Sequence, residues 1–298
     1  MSSSAPSSAA SIAGGDALAL LAAAFAAASF VCMDSVIKLM ALRFDALQLG
    51  FFRFAGGSVF ALALWCWKRS PLPSGRAWRL HLLRSALLLC SLLGYFFALT
   101  RLPLAQALTV SYLAPIFVSV LAIPVLGERP APSIWLALSA GLGGVLISVL
   151  SELGAGFDQV DAGRLAGMAA AAVAALSFAG VMLLARRQSQ TDSIWTILLI
   201  QSVLPLLLLA GPAAWRWQPI QPGDLGLSLL AGALGTLGLL GLTYAFTRLE
   251  ASRVAPFEYT GFVWAVLLGY AVFGEVPSLT TLASAALIVG GCLLLIRR

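Results

Sequence analysis

The sequence predicts an all-α integral membrane protein, with ten transmembrane helices arranged as two inverted five-helix repeats. Three observations lead to this fold class: the apolar composition, the number of long apolar segments and an internal repeat. Of the 298 residues, 60% are hydrophobic and 10% are charged, and the mean hydropathy is +0.97. Because soluble domains contain roughly 25% charged residues, the chain is expected to lie within a lipid bilayer.

Ten segments are long and apolar enough to cross a membrane. A stretch of roughly 18 to 25 apolar residues spans a hydrocarbon core of roughly 30 Å as a helix. No segment alternates apolar and polar residues as the strands of a lipid-embedded barrel do, so a helical bundle is expected. The expected spans are 17–37, 46–67, 79–99, 104–126, 132–151, 164–185, 193–211, 223–246, 251–273 and 278–296.

An internal repeat divides the chain into two halves. Residues 98–144 match residues 245–291 at a constant offset of 147 without a gap, and the earlier parts of the halves align at an offset of 148. Because each half has an odd number of spans, the second half is expected to lie inverted in the membrane. Inverted repeats are typical of carriers that open alternately to the two sides. The identical pairs are Thr100/Thr247, Arg101/Arg248, Leu102/Leu249, Tyr112/Tyr259, Gly127/Gly274, Glu128/Glu275, Pro130/Pro277 and Gly143/Gly290.

The repeat sets the expected domain organisation. A Ser/Ala-rich tail over residues 1–15 is expected to be disordered, residues 16–152 to form the first repeat and residues 162–298 the second. The tail contains no Lys or Arg, so it lacks the positive region of a signal peptide.

The basic residues that give the net charge of +6 lie mainly between the spans. A basic protein binds nucleic acid when such residues cluster on a soluble face, so no nucleic-acid partner is expected. With both termini in the cytoplasm, 12 Lys and Arg residues fall on the cytoplasmic side and 5 on the other, as the positive-inside rule requires. We expect a multi-pass protein of the bacterial inner membrane, in contact with lipid and with cytoplasmic termini. The largest cytoplasmic group is Lys68, Arg69, Arg76, Arg79 and Arg84.

The sequence shows no sign of an enzyme, a metal site or an ATP-driven pump. No Gly-rich phosphate loop with its Lys, no His/Cys metal cluster and no nucleophile–base motif is present. The loops are too short to hold a soluble catalytic domain. We expect no cofactor, and any energy for transport is expected to come from a proton or solute gradient. The cysteines, which show neither disulfide nor metal-ligand spacing, are Cys32, Cys66, Cys90 and Cys292.

Two short motifs mark the fourth and ninth spans. The fourth span contains Tyr-Leu-Ala-Pro at 112–115 and is closed by Leu-Gly-Glu-Arg-Pro at 126–130, which Phe-Gly-Glu at 273–275 echoes in the second half. With the two five-span repeats, these motifs resemble the EamA-type family of the drug/metabolite transporter superfamily over essentially the full length. The resemblance implies a ten-helix carrier of small metabolites, many members being amino-acid exporters, including the aromatic amino-acid exporters of the YddG type. The second half departs from the pattern, with Phe262 in place of Pro115.

Two carboxylates, those of Asp34 and Glu258, lie well inside apolar segments. A charge in that position costs at least about 2.5 kcal/mol on insertion scales, so such residues usually face a cavity or a partner. Glu258 has no basic residue three or four positions away, the spacing that pairs side chains on a helix. Two roles fit Glu258: binding the ammonium group of an amino-acid substrate, or binding and releasing a proton during transport. A protonated glutamate hydrogen-bonded between helices is the structural alternative.

Inverted symmetry predicts a central cavity. Ser111 and Tyr112 of the fourth span correspond to Glu258 and Tyr259 of the ninth, and spans that enter from opposite faces bring such pairs together. Aromatic rings suit an apolar or aromatic substrate by stacking, although ordinary core packing is the alternative. The remaining predicted substrate-binding residues are Tyr95, Gln106, Tyr244 and Trp264.

A group of charged residues is expected near the outer end of the first span. Asp34 and Lys38 are four residues apart, on one face of a helix, and Arg53 lies near the start of the second span. A structural ion pair is expected, and a gating pair is the alternative.

The predicted function is the export of small metabolites by alternating access, with amino acids that have apolar or aromatic side chains as the expected substrates. Three alternatives stay open. An exporter of hydrophobic cations or drugs would use Glu258 as the counter-charge. An intramembrane enzyme would act on lipid-linked substrates, and a channel-like protein would conduct without saturable counterflow.

Overall fold

Helices make up most of the structure. The computed structural model describes residues 7–41, 43–99, 101–102, 110–153, 162–215, 217–273, 276 and 279–296, and no strand occurs in these ranges. The helices are α1 (Ser7–Met40), α2 (Ala46–Lys68), α3 (Gly75–Leu99), α4 (Ala114–Leu126), α5 (Pro132–Leu153), α6 (Ala162–Gln188), α7 (Ile194–Trp215), α8 (Pro222–Arg248), α9 (Ala251–Val254), a 3₁₀-helix (Ala255–Tyr259), α10 (Thr260–Phe273) and α11 (Leu279–Ile296).

Six of the described helices are long and apolar enough to cross a membrane. These six are α2, α6, α7 and α8 over their whole length, α1 from Gly15 onward, and α3 over residues 77–98. Large apolar side chains such as Leu21, Phe25 and Leu207 lie exposed on them, as expected for surfaces that face lipid. The structure therefore confirms an all-helical, multi-pass membrane protein, whereas the count of ten spans stays a prediction.

Helix α1 extends farther toward the N-terminus than the apolar segment. It begins at Ser7, so the helix reaches into the segment over residues 1–15 that was expected to be a disordered tail. The physical reason is composition, because alanine has the highest intrinsic helix propensity and the segment is rich in alanine.

Helix boundaries recur between the two halves at the offsets of the sequence repeat. Helix α2 begins at residue 46 and α7 at 194, a difference of 148, whereas α3 and α8 begin at 75 and 222, a difference of 147. Helices α5 and α11 begin at 132 and 279, again 147 apart. Local signals such as caps and prolines set helix ends, so equivalent sequences end their helices at equivalent positions.

The main packing contacts lie between the halves. Helix α1 packs along α8, and α3 packs along α6, which is the same pairing with the halves exchanged. Helices α2 and α7, which are equivalent to each other, also pack together, as do α5 and α11. The largest core cluster accordingly draws residues from both halves, among them Leu20, Val118, Met182 and Phe246.

Helices α2 and α8 approach each other at a pair of glycines. A Cβ atom added to Gly56 would lie 2.1 Å from the Ser228 carbonyl oxygen, and one added to Gly232 would lie 2.1 Å from the Gly56 carbonyl carbon. The Ser228 hydroxyl donates to the Phe52 carbonyl at 2.9 Å across the same contact. Small residues at such crossings let helix backbones touch, and here no side chain fits between them.

Loop contacts divide between the two ends of the bundle. At one end the loop before α3 contacts the first turn of α7, where the Thr196 hydroxyl donates to the Pro71 carbonyl at 2.8 Å. At the other end Arg43, before α2, donates to Asp224 in the first turn of α8 at 2.9 Å. Each contact joins a loop and a helix end that the ten-span prediction assigns to the same side of the bilayer.

The start of α2 is fixed by a side-chain cap. An Asp45 carboxylate oxygen accepts from the Gln48 backbone N–H at 3.0 Å. We expect Asp45→Ala to lower the free energy of unfolding by about 1 kcal/mol, whereas Asp45→Asn retains a capping oxygen and should be near neutral. Thermal unfolding in detergent measures the difference, and equal melting temperatures for the two variants would contradict the capping role.

Candidate solute-binding site

The ninth expected span is interrupted. Instead of one helix over 251–273, the chain forms the short helix α9, a 3₁₀-helix over Ala255–Tyr259, and then α10. Pro256 lies in the first turn of the 3₁₀-helix, where it provides no backbone N–H donor and disfavours a continuous α-helix. Glu258 and Tyr259 both lie in this 3₁₀-helix.

The first half has an interruption at the equivalent position. Tyr112 and Leu113 form a turn directly before α4, which has Pro115 in its first turn. Because Tyr112 and Tyr259 differ by the repeat offset of 147, the two interruptions are equivalent. Discontinuous helices at equivalent positions of two repeats are typical of the binding sites of secondary transporters.

The two equivalent tyrosines touch each other. The Tyr259 hydroxyl donates to the Tyr112 carbonyl at 3.0 Å, and the ring centroids are 5.9 Å apart. The Tyr259 side chain has no exposed surface and packs on Gly141, where an added Cβ would lie 2.2 Å from the ring. Equivalent residues in contact lie close to the axis that relates the halves. In this conformation Tyr259 is therefore a packing residue at the centre of the bundle.

Glu258 lies beside this contact. Its side chain is partly buried and lies within electrostatic range of the Tyr112 hydroxyl. No basic side chain within the described ranges forms an ion pair with it. A carboxylate in this position usually faces a cavity or a ligand.

Three further predicted residues belong to the same electrostatic group. Asp34 on α1 and Arg53 on α2 lie within electrostatic range of each other, and Asp34 also lies within range of the hydroxyls of Tyr95 and Tyr112. The structure thus brings residues of α1, α2 and α3 together with the two interruptions. We call this set the central group, which consists of Asp34, Arg53, Tyr95, Tyr112, Glu258 and Tyr259.

Of the remaining predicted residues, all but Gln106 lie within the described ranges. Ser111 is partly buried next to Tyr112, and Lys38 is exposed on α1. The Arg248 guanidinium lies 5.8 Å from the Tyr244 ring centroid. Trp264 is 39% exposed, and no ring contact links it to the central group among the described residues. Gln106 lies outside the described residues.

The burial of the charged residues Glu128 and Arg84 was not predicted from the sequence. Glu128, identified only as part of a motif, is 7% exposed and accepts from the backbone N–H groups of Ala251 and Ser252 at 2.8 and 2.9 Å. Arg84, counted among the basic residues around a loop, is 2% exposed. The sequence does contain a signal for the burial of Arg84, because this residue lies five residues inside the third expected span.

The described residues contain no cluster of His, Cys, Asp and Glu that could hold a metal ion. The described residues form a bundle of apolar helices. The charged and aromatic side chains of the central group lie in this bundle, close to the two helix interruptions. This combination defines a membrane transporter. The chain belongs to the EamA-like transporter family, whose sequence profile matches residues 13–150 and again residues 165–297.

Relatives with named substrates cover most of the chain. The pseudopaline exporter CntI of Pseudomonas aeruginosa is 28% identical over 281 residues, which are 93% of this chain and 95% of the relative. The S-adenosylmethionine uptake transporter of Rickettsia conorii is 25% identical over 264 residues, 88% of this chain and 87% of the relative. The riboflavin transporter of Rhizobium johnstonii is 29% identical over 262 residues, 87% of this chain and 83% of the relative.

A solved crystal structure has the same fold, with a TM-score of 0.75 at 20% identity over 94% of this chain and 96% of the solved one. The predicted EamA-type family is thus confirmed. The relatives' names support transport of small molecules, without singling out YddG-type export of amino acids.

Proposed function

We propose that this protein is a carrier of the bacterial inner membrane that exports small metabolites by alternating access. It would have ten spans in two inverted repeats over residues 16–152 and 162–298, with both termini in the cytoplasm. The observation that carries the proposal is the contact of two equivalent helix interruptions at Tyr112 and Tyr259, with the Glu258 carboxylate beside it. The repeated helix boundaries and the two matches to the family profile support it.

The proposed substrates are amino acids and metabolites that contain an amino-acid group. Glu258 offers a carboxylate to an ammonium group, and Arg53 offers a guanidinium to a carboxylate. Tyr95 and Tyr112 offer ring faces for stacking. The name of one relative's substrate, S-adenosylmethionine, indicates a compound built on an amino acid. Proton binding by Glu258 during the cycle is part of the same proposal.

Solute counterflow tests the proposed function. Purified protein in liposomes is given a panel of amino acids, S-adenosylmethionine and riboflavin, and exchange of labelled solute is followed. We expect saturable counterflow of at least one solute with an amino-acid group. Flux of riboflavin alone would overturn the substrate class, and flux that never saturates would overturn the carrier mechanism.

The variant Glu258→Gln tests the two proposed roles of the Glu258 carboxylate, which are binding an ammonium group and binding a proton. Because hydrogen bonds to charged groups contribute roughly 1.5–3 kcal/mol, we expect transport to fall roughly tenfold or more, with folding intact and its pH dependence between pH 6 and 8 altered. Glu250→Gln is the matched control, since Glu250 is an exposed carboxylate nearby. Flux and pH dependence like those of the unaltered protein would remove both proposed roles of Glu258.

A second candidate function is the export of hydrophobic cations. The absence of a basic partner for Glu258 within the described ranges favours it, because a cationic solute would supply the counter-charge. Loss of cationic dye flux in Glu258→Gln, with amino-acid flux retained, would support this function over the first. The chain's family consists of transporters, so an intramembrane enzyme is not proposed.

A further inference from the structure

Helix α3 contains a buried arginine that has no carboxylate partner among the described residues. The Arg84 side chain is 2% exposed, and its Nη1 donates to the Gln188 Oε1 atom of α6 at 2.9 Å. Its Nε atom is buried without a hydrogen-bond partner. A buried guanidinium with one neutral acceptor is costly unless something else neutralises it.

The polar atoms around Arg84 also lack partners. Gln188 Nε2 and the Ser85 hydroxyl are buried, and neither has a hydrogen-bond partner among the described residues. Because Gln188 Oε1 already accepts from Arg84, the amide N–H groups of Gln188 are free to donate elsewhere. The nearby carboxylate of Asp192 lies 2.9 Å from Nε2 of His81, whose Nδ1 is also buried without a partner. Apart from the bond between them, Arg84 and Gln188 thus present a positive charge and buried donors that have no acceptor among the described residues.

The repeat shows that helix packing does not require these polar residues. Helices α1 and α8 form the equivalent pair, in which Met40 stands where Gln188 does (188 − 148) and Ala231 stands where Arg84 does (84 + 147). Met40 and Ala231 are both buried apolar residues. The same helix pairing therefore forms with buried apolar residues at these positions in one pair and with a buried charged and a buried polar residue in the other.

A cavity opens next to this buried site. It has a volume of about 440 Å³ and lies between the loop before α3, the first turns of α3 and the loop between α6 and α7. Leu80, which lines it, is one helical turn from Arg84, and Asp192 of its wall contacts His81. An anion that entered this cavity would have to move inward by about one turn of α3 to reach the guanidinium.

We propose that Arg84 and Gln188 bind an oxyanion, which is the carboxylate of a solute or the phosphate of a lipid headgroup. The planar guanidinium matches the geometry of both groups. The inference rests on the proposed function in one respect, namely that the site lies at the cytoplasmic end of the bundle. There it would receive the acidic group of a solute before the solute reaches the central group.

Thermal unfolding of the full-length protein in detergent tests the site. Inorganic phosphate and acetate are titrated at constant ionic strength, and saturation is expected to raise the melting temperature by roughly 2–4 °C. Arg84→Met should lose this rise, whereas Arg43→Met, an arginine at the other end of the bundle, should keep it. Gln188→Met, which copies the equivalent Met40, is the second variant and should weaken the rise.

A comparison of two lipids distinguishes the two possible sources of the oxyanion. Micelles containing phosphatidylglycerol are compared with micelles containing phosphatidylcholine, in the absence of phosphate and acetate. A rise with phosphatidylglycerol that Arg84→Met abolishes assigns the oxyanion to a lipid, and a rise with phosphate or acetate that phosphatidylglycerol does not produce assigns it to a solute. No rise in the unaltered protein, or a rise that Arg84→Met retains, overturns the site.

The same variants separate this inference from the proposed function. Solute counterflow in the unaltered protein without any anion-dependent rise would overturn the oxyanion site and leave the carrier proposal standing. An anion-dependent rise that requires Arg84, in a protein that exchanges no solute, would support the site and overturn the carrier proposal.

Discussion

Replacing Glu128 with alanine is expected to lower the free energy of unfolding by about 3 kcal/mol. The Glu128 carboxylate accepts from the first two backbone N–H groups of α9, those of Ala251 and Ser252. The Arg186 Nε atom lies 4.0 Å from the same carboxylate. Alanine would leave two buried N–H groups without an acceptor and Arg186 without its nearest negative charge.

Two further variants test this account of Glu128. Glu128→Gln keeps one acceptor oxygen and is expected to cause a smaller loss of stability. Glu250→Ala removes an exposed carboxylate of the same segment and should stay within about 0.5 kcal/mol of the unaltered protein. Melting temperatures in detergent rank the variants by stability. A Glu128→Ala variant as stable as Glu250→Ala would show that the buried contacts of Glu128 contribute nothing to the free energy of unfolding.

Gly232→Ala is expected to have an effect of similar size, of about 3 kcal/mol, because overpacking of a tight contact costs roughly 1–3 kcal/mol or more. The added Cβ would lie 2.1 Å from the Gly56 carbonyl carbon and 2.3 Å from the Gly57 nitrogen. These neighbours are backbone atoms, so no side chain can rotate away. Helices α2 and α8 would have to separate along their contact.

Gly226→Ala is the matched control on the same helix. A Cβ added to Gly226 meets no atom within 4 Å, so alanine there should be neutral or stabilising by up to about 1 kcal/mol. Melting temperature and counterflow are measured for both variants. Equal behaviour of the two would mean that the glycine contact between α2 and α8 does not limit how closely the helices pack.

The positions of the helices could be predicted because each is a long apolar segment. The second span was expected over 46–67 and the helix covers 46–68, and the eighth was expected over 223–246 and the helix covers 222–248. The interruption at Ala255–Tyr259 could not be read from hydropathy, because the apolar composition of a segment does not reveal its hydrogen-bond pattern. Pro256 was the available signal.

The residues of the central group could be proposed because a carboxylate inside an apolar segment and an internal repeat both limit where a residue can lie. The repeat aligned Tyr112 with Tyr259, and the structure places those two residues in contact. Aromatic residues such as Tyr244 and Trp264 carried no such constraint, since a ring in an apolar segment does not show which helix face it occupies. The contacts of Glu128 join residues 123 and 124 positions apart, and no local pattern reports a partner at that distance.

The backbone contact of α2 with α8 has no counterpart between α3 and α7. Ser85 and Leu204 stand at the positions equivalent to Gly232 and Gly56 (232 − 147 and 56 + 148), and α3 and α7 make far fewer contacts with each other than α2 and α8 do. In the proposed carrier, whose halves would exchange arrangements during transport, the two resting states would therefore differ in energy. One orientation of the empty carrier would predominate, and solute arriving at the other face would bind with an apparent affinity reduced by the scarcity of the receptive form. Such a carrier would be half-saturated at different solute concentrations on the two sides of the membrane.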